Sequence, residues 1–171
     1  MGATSFEVRL AKETVEAYVR DCRIMDLPAD IPSSSAAPRG VFVSIKEEGC
    51  LRGCIGTIEP QQESAAAEII QNAISAAVGD PRFIPVTEDE LDSLEYSVDI
   101  LGLPEPIKST AELDTAIYGL IVEARGRKGL LLPDIEGVDS VEEQLSICRR
   151  KAGLTPGEEV KMYRFTVTRY R

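Results

Sequence analysis

The stretch CLRGCIGTIEP, residues 50–60, sets two cysteines, an arginine and two glycines inside a run that otherwise reads as a β-strand. A thiol can serve as nucleophile, redox centre or metal ligand, and each role demands different neighbours. Side chains of an extended strand alternate between its faces. Cys50, Arg52, Cys54 and Gly56 then share one face, and Leu51, Gly53, Ile55 and Thr57 share the other. The second set is apolar enough to face a core. The first puts Arg52 beside Cys54, where a guanidinium favours the thiolate, and leaves open space over Gly56 next to the sulfur. The pattern allows a ligand-binding thiol in a glycine-floored groove. Cys54 would be nucleophile or redox thiol, and Arg52 would stabilise it or bind an anion. Simple packing is the competing reading, because free cysteine is a common small core residue.

A metal site fits the spacing less well. Cys50 and Cys54 are spaced C-x3-C, and the position that would complete a C-x3-C-x2-C cluster is Thr57. The chain contains no histidine, so no Cys/His zinc set can form. No metal and no cofactor is expected. The same lack removes Ser-His-Asp and Cys-His catalysis and leaves acid–base work to Asp, Glu, Lys, Tyr or Cys. Glu59, just past the strand, is a candidate base. Asp80 and Arg82, in the turn DPRF (80–83), are candidates for binding at the groove, with Arg82 as a second cation for an anionic ligand. Cys22 and Cys148 fall on apolar helix faces and read as core. The basic hairpin tip EARGRKG (123–129) reads as a solvated turn, with a binding role as the alternative.

Composition narrows the class. The chain has 171 residues, 43% of them hydrophobic, with 5% aromatics and no Trp. Its core must therefore be aliphatic. A formal net charge of −10 opposes contact with phosphate backbones and acidic membranes, so nucleic-acid association is the weakest of the functional readings. No run approaches the roughly 18 apolar residues of a membrane span, and the first residues lack a leader-type apolar core. A cytoplasmic protein with reduced thiols is expected.

Periodicity supplies the elements that must position the thiol. Residues 5–23 read as an amphipathic helix and 26–39 as a Pro/Ser-rich connector. Strands at 40–46 and 50–58 form a hairpin, and 62–80 is an alanine-rich helix. Thr87 and Glu90 form a capping box for a short helix near 88–94. Strand 95–101 follows, then a Pro-bounded connector. A hairpin at 118–124 and 130–133, a helix at 141–152 and an alternating strand at 160–170 close the chain. Short-turn strand pairs imply an α+β fold, mostly antiparallel sheet flanked by helices. The recurrence of hairpin then helix suggests one domain over 1–171 with two lobes sharing one core.

LRGCIGT (51–57), DPRF (80–83), GLLLP (129–133) and KAGL (151–154), in this order, resemble the AMMECR domain family, of the AmmeMemoRadiSam system protein A type. The resemblance covers nearly the whole chain. It implies a two-lobed α+β fold with the LRGCIGT residues, including Gly53, Gly56 and Thr57, at a site in a groove between the lobes. It also implies a shared pathway with a Memo-type protein and a radical SAM enzyme. A role in transcription, repair or translation has been suggested for the family. The chain departs from many relatives in reading LPDIEGVDS where they have LPQV with a nearby Trp. Two functional readings stand level: a thiol-using enzyme or enzyme subunit acting through Cys54, and a non-catalytic module that binds a ligand or partner.

Overall fold

The computed structural model describes residues 4–171, so the first three positions of the expected 1–171 domain lie outside it. The fold is α+β. The chain forms two compact units, Met1–Ile100 with Thr168–Arg171, and Leu101–Val167.

The first unit opens with helix α1, Phe6–Asp21. Ser5 starts it, its hydroxyl accepting from the Val8 N–H at 3.2 Å. Val8, Leu10, Ala11 and Val15 are buried at helical spacing. Cys22 ends it in the left-handed region, φ 52°, and is exposed instead of joining the core. The following connector contains a short helix, α2, Ser33–Ala36. Strands β1 (Val41–Glu47) and β2 (Cys50–Thr57) are antiparallel. Glu48 and Gly49 join them with φ 49° and 77°, the left-handed pair of a two-residue hairpin turn. Helix α3, Ala65–Val78, is capped by the Ser64 hydroxyl. A two-turn 3₁₀ helix at Glu88–Ser93 carries the expected Thr87/Glu90 capping box. Strand β3, Leu94–Leu101, pairs antiparallel with the other side of β1.

Val41, Val43, Ile45, Val98 and Ile100 turn inward from this sheet, onto Ala65, Ala66, Ile69, Ala73 and Ala76 of α3. The small α3 side chains let the helix lie close. Closest approach is at Gly53, where a Cβ would collide with the Ala76 backbone carbonyl. That contact, not ligand access, accounts for this glycine.

In the second unit, β4 (Glu105–Ile107), β5 (Gly119–Ala124), β6 (Arg127–Leu131) and β7 (Lys161–Phe165) form a sheet in the order β4-β7-β5-β6. Helix α4, Val141–Lys151, starts from the Ser140 hydroxyl. Leu120, Val122, Leu131, Cys148, Ala152 and Leu154 make the core here. The Pro-bounded connector thus holds a strand; Pro106 is tolerated because β4 is an edge strand. The β5–β6 turn is the tight pair Arg125–Gly126, with φ 51° and 76°, so Arg127 and Lys128 belong to β6 and not to the turn. The alternating stretch 160–170 is two strands. β7 joins this sheet, and β8 (Val167–Tyr170) joins the first, whose order is β2-β1-β3-β8.

The close approach at Gly53 carries a prediction. Gly53→Ala lowers stability by about 1–3 kcal/mol, as overpacking against backbone does. Gly157→Ala, where nothing lies within 4 Å, stays within ~0.5 kcal/mol. Thermal unfolding of the two variants checks the difference.

Candidate functional site

Strand β2 is the first strand in the order β2-β1-β3-β8, so one side of its backbone has no neighbouring strand. At Cys54 that side is closed by side chains. The Cys54 N–H donates to Asp80 Oδ2 at 2.9 Å, and the Cys54 carbonyl accepts from Arg82 Nη2 at 3.2 Å. A carboxylate and a guanidinium therefore stand in for the C=O and N–H of a missing strand. Asp80 also accepts from the Arg82 N–H at 3.1 Å, from Nε at 3.0 Å and from Nη2 at 2.7 Å. Its side chain is 2% exposed, while that of Arg82 is 56% exposed. The Arg82 bonds, helped by the Cys54 N–H, hold the Asp80 carboxyl well below the usual carboxylate range against the opposing effect of burial. Asp80 in turn raises Arg82, and Cys54 contributes to that shift.

Strict alternation fails near the hairpin. Ile45 faces Gly53 but Lys46 faces Leu51, so β2 bulges and Arg52 has no partner residue. Leu51 is consequently 42% exposed rather than in the core. The Arg52 guanidinium turns to Glu90, with Nε to Oε1 at 2.6 Å and Nη2 to Oε2 at 3.1 Å. It also donates to the Ile84 and Pro85 carbonyls, at 2.9 and 3.4 Å. Glu90 accepts the Thr87 N–H at 2.7 Å and the Thr87 hydroxyl at 3.0 Å as well. Arg52 chiefly, with Thr87, brings the Glu90 carboxyl down from 4.5 to about 2. The expectation that Arg52 serves the thiol is corrected here. Arg82 is the arginine bonded to the Cys54 peptide, and Arg52 fixes segment 84–90.

Cys54 lies on the outward face of the sheet, partly exposed. Its partner is Ser44, directly across on β1, whose hydroxyl donates to Sγ at 3.2 Å. Ser97 continues the row on β3. Because the Cys54 N–H is used by Asp80, the Ser44–Cys54 pair is not hydrogen-bonded through its backbone, the kind of pair in which side chains come closest. The expected open space over Gly56 is filled: a Cβ there would strike the Phe42 ring, so this glycine seats an aromatic side chain. Thr57 faces inward. Its hydroxyl donates to the fully buried Glu68 at 2.6 Å and accepts from Asn72 at 3.2 Å. Glu68 also accepts the Gln61 and Gln62 N–H groups, both at 2.8 Å. Glu59 is exposed on the bend after β2. Cys54, Asp80 and Arg82 converge, then, while Gly53, Gly56 and Thr57 support the fold around them. Among the described residues no group of three or more His, Cys, Asp and Glu could hold a metal. No helix among them is long and apolar enough to cross a membrane.

Comparison with known proteins places these residues in a family. A family model described as AMMECR1 matches residues 8–170. A protein of Thermotoga maritima is 49% identical, covering 96% of each chain. A protein of Clostridium acetobutylicum is 45% identical over 96% of this chain but only 35% of its own length, so there the matched region belongs to a longer polypeptide. The crystal structure of an uncharacterised protein from Pyrococcus horikoshii has a TM-score of 0.88 at 36% identity, covering 96% of this chain and 88% of that one.

The Arg52–Glu90 pair gives a pH prediction. Glu90 is lowered in the folded state, so its stabilising effect is present above pH 4.5 and is lost as pH falls toward about 2. Glu90→Gln lowers stability near neutral pH by about 2 kcal/mol, the scale of a lost charged hydrogen bond. It also flattens the acid limb of stability against pH. Chemical denaturation of both proteins across pH 2–7 measures this.

Proposed function

Since the chain belongs to the AMMECR1 family, we propose that it is a thiol-using enzyme or enzyme subunit whose reacting group is Cys54. One observation carries this reading. The Cys54 peptide is clamped on both its N–H and its C=O, while the residue stays partly exposed and its sulfur accepts a hydrogen bond from Ser44. A donated hydrogen bond favours negative charge on the accepting atom, and the thiolate is the reactive form. Arg82, more than half exposed, supplies positive charge at the same place. The reaction it suits is attack by the sulfur lone pair on an electrophilic carbon. A carbon–sulfur bond forms as the leaving group departs with its bonding pair, and that group takes its proton from solvent.

The resemblance supports a cytoplasmic setting with a Memo-type protein and a radical SAM enzyme as partners. The long Clostridium relative is compatible with work inside a larger assembly.

A second reading, a ligand- or partner-binding module, draws on the acids of the site. Asp80 and Glu90 each accept four hydrogen bonds, and both are held low. Neither suits general-base work near neutral pH.

Iodoacetamide labelling at pH 7, with each modified cysteine mapped by mass spectrometry, separates the two. The enzyme reading expects Cys54 to label faster than the exposed Cys22 and Cys50, and Ser44→Ala to slow it severalfold. If Cys54 labels no faster than those two, the thiol is not activated and the binding reading takes its place. Co-purification with a Memo-type protein tests the partner, and retention in Cys54→Ser shows that the partner needs no thiol.

A further inference from the structure

A cavity of about 620 Å³ lies along the outer face of α4 in the second unit, within the 300–1,000 Å³ range of small-molecule sites. Leu145, Leu154 and Pro156 give it aliphatic lining, and Arg149 and Arg150 line it between them in the chain. Arg149 is held in place there, its Nη1 donating to the Thr155 carbonyl at 3.0 Å and the Glu158 carbonyl at 2.9 Å. Arg150 is exposed and has no ion-pair partner among the described residues. Arg127, outside the lining, donates to the Gly153 carbonyl and is paired with Glu158, so the two charges offset each other. The nearby Glu158 carboxylate is already used by Arg127 and by the Thr155 N–H and hydroxyl. Glu142 lines the cavity too, but it stands eight residues from Arg150, about 12 Å along a helix. Leu145 lies between Glu142 and the arginines along α4, and Leu154 and Pro156 follow the C-terminal end of the helix beside Arg149, so the cations have hydrocarbon on both sides and the acid stands apart.

We propose that this cavity binds a small anionic amphiphile, a carboxylate or phosphate ester with an aliphatic body. The acidic group meets Arg150 and Arg149, and the chain lies over Leu145, Leu154 and Pro156. On a protein of net charge −10, a cation-lined apolar cavity selects such a ligand over a cationic or purely apolar one. The site lies wholly in the second unit and does not depend on the chemistry of Cys54.

Octanoate is the probe, titrated into the full-length protein and followed by amide NMR, with 1-octanol and inorganic phosphate as the two half-ligands. Octanoate is expected to shift the amides of Ser146, Arg150 and Gly153 saturably, and to bind more tightly than either half-ligand. Arg150→Gln weakens it about tenfold, the scale of one charged hydrogen bond. Ser146→Phe, which fills the cavity from its rim, removes it. Equal binding of 1-octanol, equal binding of phosphate, or octanoate binding unchanged by Arg150→Gln would each overturn the proposal. The Arg150→Gln arm decides by itself if Ser146→Phe does not fold.

Discussion

The buried Asp80 carboxylate is the contact on which the arrangement at β2 depends. A carboxylate removed from water costs several kcal/mol unless its lone pairs are filled. Here they are filled from two sources, the Cys54 peptide and the Arg82 backbone and guanidinium. The requirement works in both directions. Asp80 can be buried only because Cys54 and Arg82 donate to it, and the edge peptide at Cys54 is satisfied only because Asp80 and Arg82 are there. The same contact denies this point of the edge to another strand, which is one way proteins avoid unwanted pairing along an open sheet. It also removes Asp80 from proton transfer, so the most conspicuous acid of the site is structural.

A second pin works alongside it. The β2 bulge leaves Arg52 without a strand partner, and the freed side chain crosses to Glu90 and to two carbonyls of segment 84–85. Segment 80–90 is thereby fastened at both ends, at Asp80 by Cys54 and at Glu90 by Arg52. Ile84 is left 77% exposed on a stretch whose backbone is held by a guanidinium. A rigid backbone beside a partly exposed cysteine is what a positioned reactive group needs.

Much of this was legible in the sequence, and the exceptions have identifiable causes. Alternation puts Cys54 and Gly56 opposite Gly53, Ile55 and Thr57, as found. It fails at Leu51 and Arg52 because a bulge adds one residue to one strand, and period-2 reasoning has no signal for that. The same bulge hides Ser44: counted from the turn without it, Ser44 would face Gly53, and only the extra residue brings it to Cys54. Glu90 is readable as the capping-box acid, but its bond to Arg52 joins residues 38 apart and leaves no local trace. Glycines are ambiguous in a different way. A missing side chain signals close approach without saying of what, and at Gly56 the answer is Phe42, where an open groove was expected. β4 is masked by Pro106, and the change of sheet at Thr166 by an unbroken apolar alternation.

The cysteines show why burial alone does not assign function in a chain without histidine. Cys148 is fully buried under β5 and β6, and its thiol donates to the Leu120 carbonyl at 3.3 Å. Burial pushes it up to about 12, so it stays protonated and serves packing. Cys54 has the opposite polarity, with sulfur as acceptor and a hydroxyl as donor. The difference comes from the elements that carry them. A cysteine on the inner face of α4 meets the carbonyls and hydrocarbon of a sheet, whereas one on the outer face of β2 meets the small polar row Ser44–Ser97. A side chain that accepts a hydrogen bond at an open surface can carry charge, and one that donates within a core cannot. In a protein with no imidazole to move protons, that difference in hydrogen-bond polarity is what separates Cys54 from the core Cys148.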